Sequence, residues 1–522
     1  MMKYLVVLVV MILSNGVLFT QETWVKTYGG SQHDLGYSIS TTPDGGMVLT
    51  GETESNDGDF AGLNESQYDI FVMKLNDRGD VLWKNMFRGS RWDNTSFISS
   101  SSDGEMVLTG GNDVWDIFVV KLNSRGDVLW KKTFGGRYGD VGQSIITTPD
   151  GGCVLTGRTA SVDGDFEGMN KGELDIFVIK LNRRGDVLWK KTFGARYDDK
   201  GYSISTTPDG GTVLTGVTKY STDGDFEGMS KGYDDIFVIK LNDRGDVLWK
   251  KTFGGTGNDQ GQSIDTTPDG DVVLTGRTYF SNYGDFKEMN KGRDDIFVIK
   301  LNDRGDVLWK QTLGGSLDEV GESIVATSDG GCVLTGQTRS VDGDFDGRNN
   351  DRWGIFVIKL NNRGDVQWKK TFGGSVDDYS FSITEVPDGG YVLTGVAGSV
   401  DGDFERVRKG GYDIFVMKLD SNGNLNPSTS IEDHSDISSS FSITPNPLSP
   451  LSTISYSLDK PSHVRIEVVN SIGEVVSVLS DKQEDVGSHQ IPFSTTHLVT
   501  GTYSVRLVEN NRVTSKGVVQ IR

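Results

Sequence analysis

The sequence predicts an all-β chain: a seven-bladed β-propeller of four-stranded antiparallel blades, then a small Ig-like β-sandwich. Three observations predict it. A unit headed by tryptophan recurs at Trp24, Trp83, Trp130, Trp189, Trp249, Trp309 and Trp368, at intervals of 59, 47, 59, 60, 60 and 59 residues. A period in this range marks a propeller, a solenoid or an array. Each full unit reads as four short β-branched or apolar runs parted by turn residues, with no helical periodicity. The last unit supplies only three runs, and the missing fourth, Trp24–Tyr28, stands at the other end of the repeats. A closed ring accounts for that split, because a strand from the N-terminal end can complete the final sheet and leave no open edge.

The third unit shows the pattern. Ser144–Thr148 is a β-branched run, and Pro149-Asp150-Gly151-Gly152 turns the chain. Proline presets φ there, and glycine supplies the left-handed position. Cys153–Gly157 is the second run. A loop from Ser161 to Gly172 leads to the third run, Asp175–Leu181. Asn182–Asp186 makes a second tight hairpin, and Val187–Phe193 is the fourth run. In such a meander both hairpins lie on one face. The longer, Asp-rich loops and the connections between blades lie on the other, where binding residues are expected.

The predicted boundaries are a secretory signal over 1–20, the propeller over 21–424, a linker over 425–440 and the sandwich over 441–522. Lys3 and the apolar run Tyr4–Leu13, too short to span a bilayer, carry the signal. No later segment is apolar enough for a transmembrane helix. A net charge of −21 argues against nucleic-acid and anionic-membrane binding, which need clustered Lys and Arg. Cys153 and Cys332 occupy equivalent places three units apart, so a ring holds them beyond disulfide reach. A monomer is expected.

Several motifs recur. Arg-Gly-Asp appears six times, from Arg78-Gly79-Asp80 to Arg363-Gly364-Asp365. Its seventh copy, Ser421-Asn422-Gly423-Asn424, keeps only the glycine. What repeats is turn geometry rather than an adhesive ligand. Asp-Gly-Asp-Phe supplies Asp57 and Asp59, Asp163 and Asp165, Asp223 and Asp225, Asp342 and Asp344, and Asp401 and Asp403. Two carboxylates about a glycine can offer oxygens to a hard cation, so these residues are the candidate metal ligands and Ca2+ the candidate cofactor. The competing reading is an Asx-turn that holds the loop. A further acid recurs at Asp34, Asp140, Asp199, Asp259, Asp318 and Asp378, and a lysine at Lys74, Lys121, Lys180, Lys240, Lys300, Lys359 and Lys418. Asp/Lys pairs fixing blade register are the expected use. Such acids have sister copies, so none is singled out as a general acid or base. Histidine is too scarce for a catalytic cluster. Trp92 and Trp115 in the shortened second unit, and Trp353 in the sixth, depart from the repeat and are the candidate ligand-binding residues.

After the polar stretch 425–440 the texture changes. Thr444-Pro445-Asn446-Pro447, Val464–Asn470 with Gly473, Gly501-Thr502-Tyr503 and a final Lys516–Gln520 run follow in order. This segment closely resembles the type A C-terminal sorting domain of the type IX (Por) secretion system of Bacteroidetes-like bacteria. The resemblance implies Sec export, passage across the outer membrane and contact with the secretion machinery through 441–522. Trp-x-Lys-Thr-Phe-Gly-Gly followed by Asp-Gly-Gly-x-Val-Leu-Thr-Gly resembles the SBBP-like propeller repeats of secreted bacterial surface proteins. Relatives so labelled include endoglucanases, but no residues here carry that activity.

The expected function is therefore a secreted or cell-surface binding module for a glycan or protein, with Ca2+ as a candidate aid and no catalysis of its own. One alternative is a carbohydrate-active hydrolase or lyase with its site at the central opening. The other is a passive structural component of the surface.

Overall fold

The computed structural model describes residues 22–64, 69–87, 95–111, 116–220, 223–279, 283–346, 352–405 and 409–425, then 442–444, 452–458, 461–470, 475–493, 501–509 and 512–520. Residues 1–20 and all but the first residue of the 425–440 stretch lie outside these. Two units separate at Pro427/Ser428.

In the first unit the described strands form seven four-stranded antiparallel sheets. Blade 3 is representative: Asp140–Thr147, Cys153–Thr159, Asp175–Leu181 and Val187–Phe193 pair in chain order. Its third strand reads as an unbroken apolar run because both of its faces are covered. Phe177 and Ile179 pack on Ile117 and Val119 of blade 2, whereas Ile176 and Val178 pack on Phe237 and Ile239 of blade 4. The core thus lies between blades. Fully burying each such side chain contributes about 1.5–3 kcal/mol.

The ring closes as the sequence predicts. Trp24–Tyr28 is the fourth strand of the last blade, antiparallel to Asp413–Leu419, with Trp24 opposite Lys418 and Tyr28 opposite Ile414. Blade 1 packs on blade 7 through Ile39, Leu49 and Val416 in one apolar cluster.

Two hydrogen-bond belts hold neighbouring blades in register. The inner belt joins first strands. The amides of Ile39, Ile98, Ile204, Ile264, Ile324 and Ile383 donate to the hydroxyls of Ser382, Ser38, Ser144, Ser203, Ser263 and Ser323, at 3.1–3.3 Å. The outer belt explains the repeating tryptophan. Trp189 lies against Gly245 of the next blade's Arg-Gly-Asp hairpin, and its indole N–H donates to the Asp243 carbonyl at 2.9 Å. Trp249, Trp309 and Trp130 do the same at 2.9, 2.9 and 3.0 Å. Trp24 reaches from the last blade to Asp77 of the first at 3.3 Å, and Trp368 lies on Gly423. That last contact shows why only the glycine survives in the seventh copy: the indole plane occupies the space of a Cβ.

One expectation is corrected here. The recurrent lysines do not pair with the recurrent acids of the inter-blade connections. Their ammonium groups turn to the opposite, hairpin face. Lys74, Lys240, Lys359 and Lys418 meet Asp44, Asp209, Asp329 and Asp388 of the Pro-Asp-Gly-Gly or Ser-Asp-Gly-Gly turns at 2.7–3.0 Å. Strand direction decides this, because the lysine stands at the hairpin end of its strand. Cys153 and Cys332 are free and buried, and burial pushes both thiols up to about 12.

The second unit is a sandwich. A three-stranded sheet (Ser442–Thr444, Ser452–Leu458, Gly487–Phe493) and a four-stranded sheet (Val475–Glu484, Ser462–Asn470, Gly501–Glu509, Arg512–Gln520) enclose Ile454, Tyr456, Val464, Ile466 and Phe493.

Candidate ligand-binding face

The Asp-Gly-Asp-Phe loops form one repeated device. In blade 4 the turn Gly224–Phe226 is a single 3-10 turn. Phe226 is buried against Phe237, 5.5 Å between ring centres. The Asp225 amide donates to the Gly194 carbonyl at 3.0 Å, and the Gly194 amide donates back to the Asp225 carboxylate at 2.9 Å. Asp223 accepts the Arg196 amide at 3.1 Å. Lys171, from the preceding blade, adds its ammonium to Asp225 at 2.5 Å.

The other copies repeat these bonds. Asp59, Asp165, Asp344 and Asp403 accept the amides of Gly29, Gly135, Gly314 and Gly373. Asp57, Asp163, Asp342 and Asp401 accept those of Ser31, Arg137, Ser316 and Ser375. Lys231, Lys291 and Lys409 bridge to Asp285, Asp344 and Asp59, the last across the ring closure. These amide bonds hold the carboxyls of Asp57, Asp342 and Asp401 below the usual range.

One oxygen of each carboxylate thus ties its loop to backbone N–H groups of the connection, and lysines add to the inner ones, which is the chemistry of a clamp. Among the described residues, no group of three or more His, Cys, Asp or Glu is arranged to hold a metal ion.

The inter-blade acids are buried. The sixth-blade member is Glu319, not Asp318. Glu319 stands two residues before Gly321 as Asp259 does before Gly261, and it accepts the Gly315 amide at 2.9 Å as Asp259 accepts that of Gly255 at 2.7 Å. Asp318 is instead half-buried and pairs with Arg339 at 3.6 Å. A second buried acid begins several third strands, and the two flank one glycine. A Cβ on Gly194 would meet both Asp175 and Asp199, and one on Gly254 both Asp235 and Asp259. Burial first, then the neighbouring carboxylate, raises Asp199 to about 7 and Asp259 to about 6. Burial likewise raises Glu319 to about 7, with Asp295 adding to it.

Towards the ring axis the repeat breaks down. The first-strand position just after the recurrent Gly (Ser380 in blade 7) carries Tyr37, Gln143, Tyr202, Gln262, Glu322 and Phe381, all partly exposed, between neighbours that hardly change. Gln337 donates to Glu322 at 2.7 Å. Burial raises the Glu322 carboxyl, against the pull of Gln337 and Arg277. Tyr37, Phe381 and Tyr379 lie in sequence at 5.9 and 6.4 Å between ring centres.

Tyr379 continues to Trp353 at 6.4 Å, and the Arg339 guanidinium lies over that indole at 5.7 Å. The Trp353 amide donates to Asp377 at 3.0 Å. Trp353 is thus half-buried on the loop face, in an aromatic run reaching the axis. Trp92 and Trp115 lie outside the described residues. Sequence reasoning missed Tyr202, Arg277 and Glu322. Comparing the copies at this position exposes Tyr202 and Glu322, and comparing the second strands at the place of Arg158 and Gln337 exposes Arg277.

Residues 442–521 match the family model described as a secretion system C-terminal sorting domain. Among curated proteins, the regulatory protein FlaEY of Caulobacter vibrioides is 25% identical over 275 residues, covering 48% of this chain and 27% of its own length. An uncharacterised WD repeat-containing protein of Acanthamoeba polyphaga mimivirus is 24% identical over 267 residues, covering 37% of this chain and 19% of its own length. The chain thus spans less than a third of either relative.

The chain is similar to three solved structures among others. They are hydrazine synthase of Kuenenia stuttgartiensis (13% identity, TM-score 0.41, 69% of this chain and 92% of that one), YCF48 bound to a D1 peptide (8%, 0.40, 77% and 96%) and PorZ, a surface component of the type IX secretion system of Porphyromonas gingivalis (9%, 0.21, 95% and 100%). Among the described residues no helix is long and apolar enough to cross a membrane. The chain is a repeat β-propeller followed by a type IX sorting domain, which directs it to the cell surface or beyond.

Proposed function

We propose that the propeller is a binding module whose ligand, a glycan or a protein, seats on the loop face around the ring axis. The supporting observation is the contrast between positions. Clamp, belt and core residues repeat, whereas Tyr37, Gln143, Tyr202, Gln262, Glu322 and Phe381 differ from blade to blade at the axis. A rigid frame with variable polar and aromatic side chains at one mouth is the usual build of a recognition site. The reading does without a cation, since the clamp carboxylates are otherwise engaged.

Glycan-array binding of the purified chain, with and without EDTA, tests this. Binding unchanged by EDTA is expected. Loss in EDTA would restore Ca2+ to the account.

A carbohydrate-active hydrolase or lyase has one observation in its favour. Glu322 and Asp265 are innermost-strand carboxylates with no counterpart in other blades, and burial raises both. Asp265 is held by Ser205 at 2.8 Å and by the Ala326 amide at 2.9 Å, as a strand-to-strand tie would be. Release of reducing sugar, abolished by Glu322→Gln, would establish the enzyme.

A further inference from the structure

Seven copies of one unit form an alignment inside a single chain, and what departs from it is not required by the fold. Blades 4 and 5 depart together. Each has one extra residue before its Gly-Asp turn: Thr218 precedes Asp223 and Thr278 precedes Tyr283 by five positions, whereas Thr159 precedes Asp163 by four. This residue accounts for the two 60-residue intervals.

In blades 1 and 3 the residue two after that threonine is a serine bonded to the buried acid, Ser55 to Asp34 at 2.8 Å and Ser161 to Asp140 at 2.7 Å. In blade 4 it is Tyr220, with φ at 44°. A bulky side chain takes that left-handed conformation only when its surroundings impose it.

The imposed conformation builds an aromatic patch. The Tyr220 amide donates to the Tyr233 carbonyl at 3.0 Å. The Tyr220 ring meets Tyr233 edge-on at 4.8 Å and Tyr197 at 5.8 Å. Tyr233 nonetheless remains 56% exposed. Next to it, the Asp234 backbone pairs with that of Asn258 in a parallel β-bridge, and the neighbouring Gly257 lies against Tyr279, itself 46% exposed.

Polar groups line the way towards the axis. Burial raises the Tyr202 phenol, with Asp234 and Asp198 adding to it and Arg158 and Arg277 opposing it. Arg277 gives one nitrogen to Gln260 at 3.0 Å and another to Asp294 at 3.7 Å, while its Nε has no acceptor.

We propose that this blade 4–5 patch binds a neutral glycan, its pyranose rings lying on Tyr233 and Tyr220 and its hydroxyls meeting Asp234 and Arg277. The inference rests on the loop face being the binding face. Exposed rings suit the C–H face of a sugar, and the Asp234 carboxylate next along the chain and the Arg277 guanidinium of the adjoining blade suit its hydroxyls. Lys200 pairs with Asp198 at 3.5 Å, Arg277 with Asp294 at 3.7 Å, and the Arg196 guanidinium lies over Tyr197, so the patch holds no net charge that would favour a charged sugar.

The test uses the purified full chain, an array of mannan, xylan, β-glucan and chitin oligosaccharides, and calorimetric titration with the strongest-bound oligosaccharide. Tyr233→Ala and Tyr220→Ser are each expected to weaken binding about tenfold. Tyr220→Ser restores the residue of other blades and relieves the left-handed strain, so its Tm is expected to hold or rise. Tyr138→Ala, an exposed tyrosine of another blade, should change affinity less than about twofold. Glycan binding that survives both Tyr233→Ala and Tyr220→Ser overturns the proposal, and its loss in Trp353→Ala would then move the site to blades 6 and 7 with the wider reading intact. No binding to any of these oligosaccharides also overturns it, and a defined protein ligand would then still leave the binding module standing.

Discussion

At the residue scale, the motif that looks most like a ligand is a packing device. Arg-Gly-Asp recurs because its glycine takes positive φ and receives the previous blade's indole. Gly245 has φ 81°, and a Cβ there would stand 2.9 Å from the Trp189 ring. Gly245→Val combines backbone strain with that clash and is expected to cost about 2–3 kcal/mol, read as a lower denaturation midpoint in urea. Gly210→Val, whose glycine has similar φ but open space around it, should lose less. Equal losses would show that the indole contact contributes nothing. The same reasoning applies to Asp-Gly-Asp-Phe. The sequence displays paired carboxylates, but it does not display the amides of Gly29, Gly135 or Gly194 that consume them.

At the scale of the blade junction, the buried acids set a pH dependence. The carboxyls of Asp175, Asp199, Asp259, Asp295 and Glu319 lie at about 6 to 7 in the fold, chiefly through burial. Unfolded, they return to about 4. The folded chain therefore binds protons more tightly, and stability falls as pH rises through 6 to 7. Asp44 opposes this only in acid. Although burial works against it, hydrogen bonds from Lys74 and Thr42 hold it at about 2, so its contribution is lost as pH falls through that value. Tm is expected to be higher near pH 5 than near pH 8, and Asp199→Asn should flatten the slope. A Tm that climbs from pH 5 to pH 8 would refute the assignment. Which acid is buried was legible wherever the two-before-glycine spacing was applied strictly. Asp318 breaks that spacing: two acids are adjacent there, Asp318 stands three residues before Gly321, and the strict spacing picks Glu319.

At the scale of the whole molecule, closure depends on Trp24–Tyr28. Its five residues pair with Asp413–Leu419, and Trp24 and Tyr28 bond to Asp77 and Gly79 of blade 1. Deleting 24–28 exposes the edge of a fully buried strand. The shortened protein is expected to lose cooperative unfolding and to self-associate, as sedimentation would show. A monomer with unchanged Tm would mean the ring does not need its latch.

The sequence by itself determined the repeat, the strands within it, the split last blade and the sorting domain, because period, turn residues and β-branched runs are local properties. Even the blade 4–5 insertion is present in the spacing of the tryptophans. The tertiary structure alone decided what each charge does. Whether a carboxylate meets a cation, an amide, a lysine or another carboxylate depends on which residues of the next blade face it, and those lie some 25 to 60 positions away, or, where the ring closes, at the other end of the propeller.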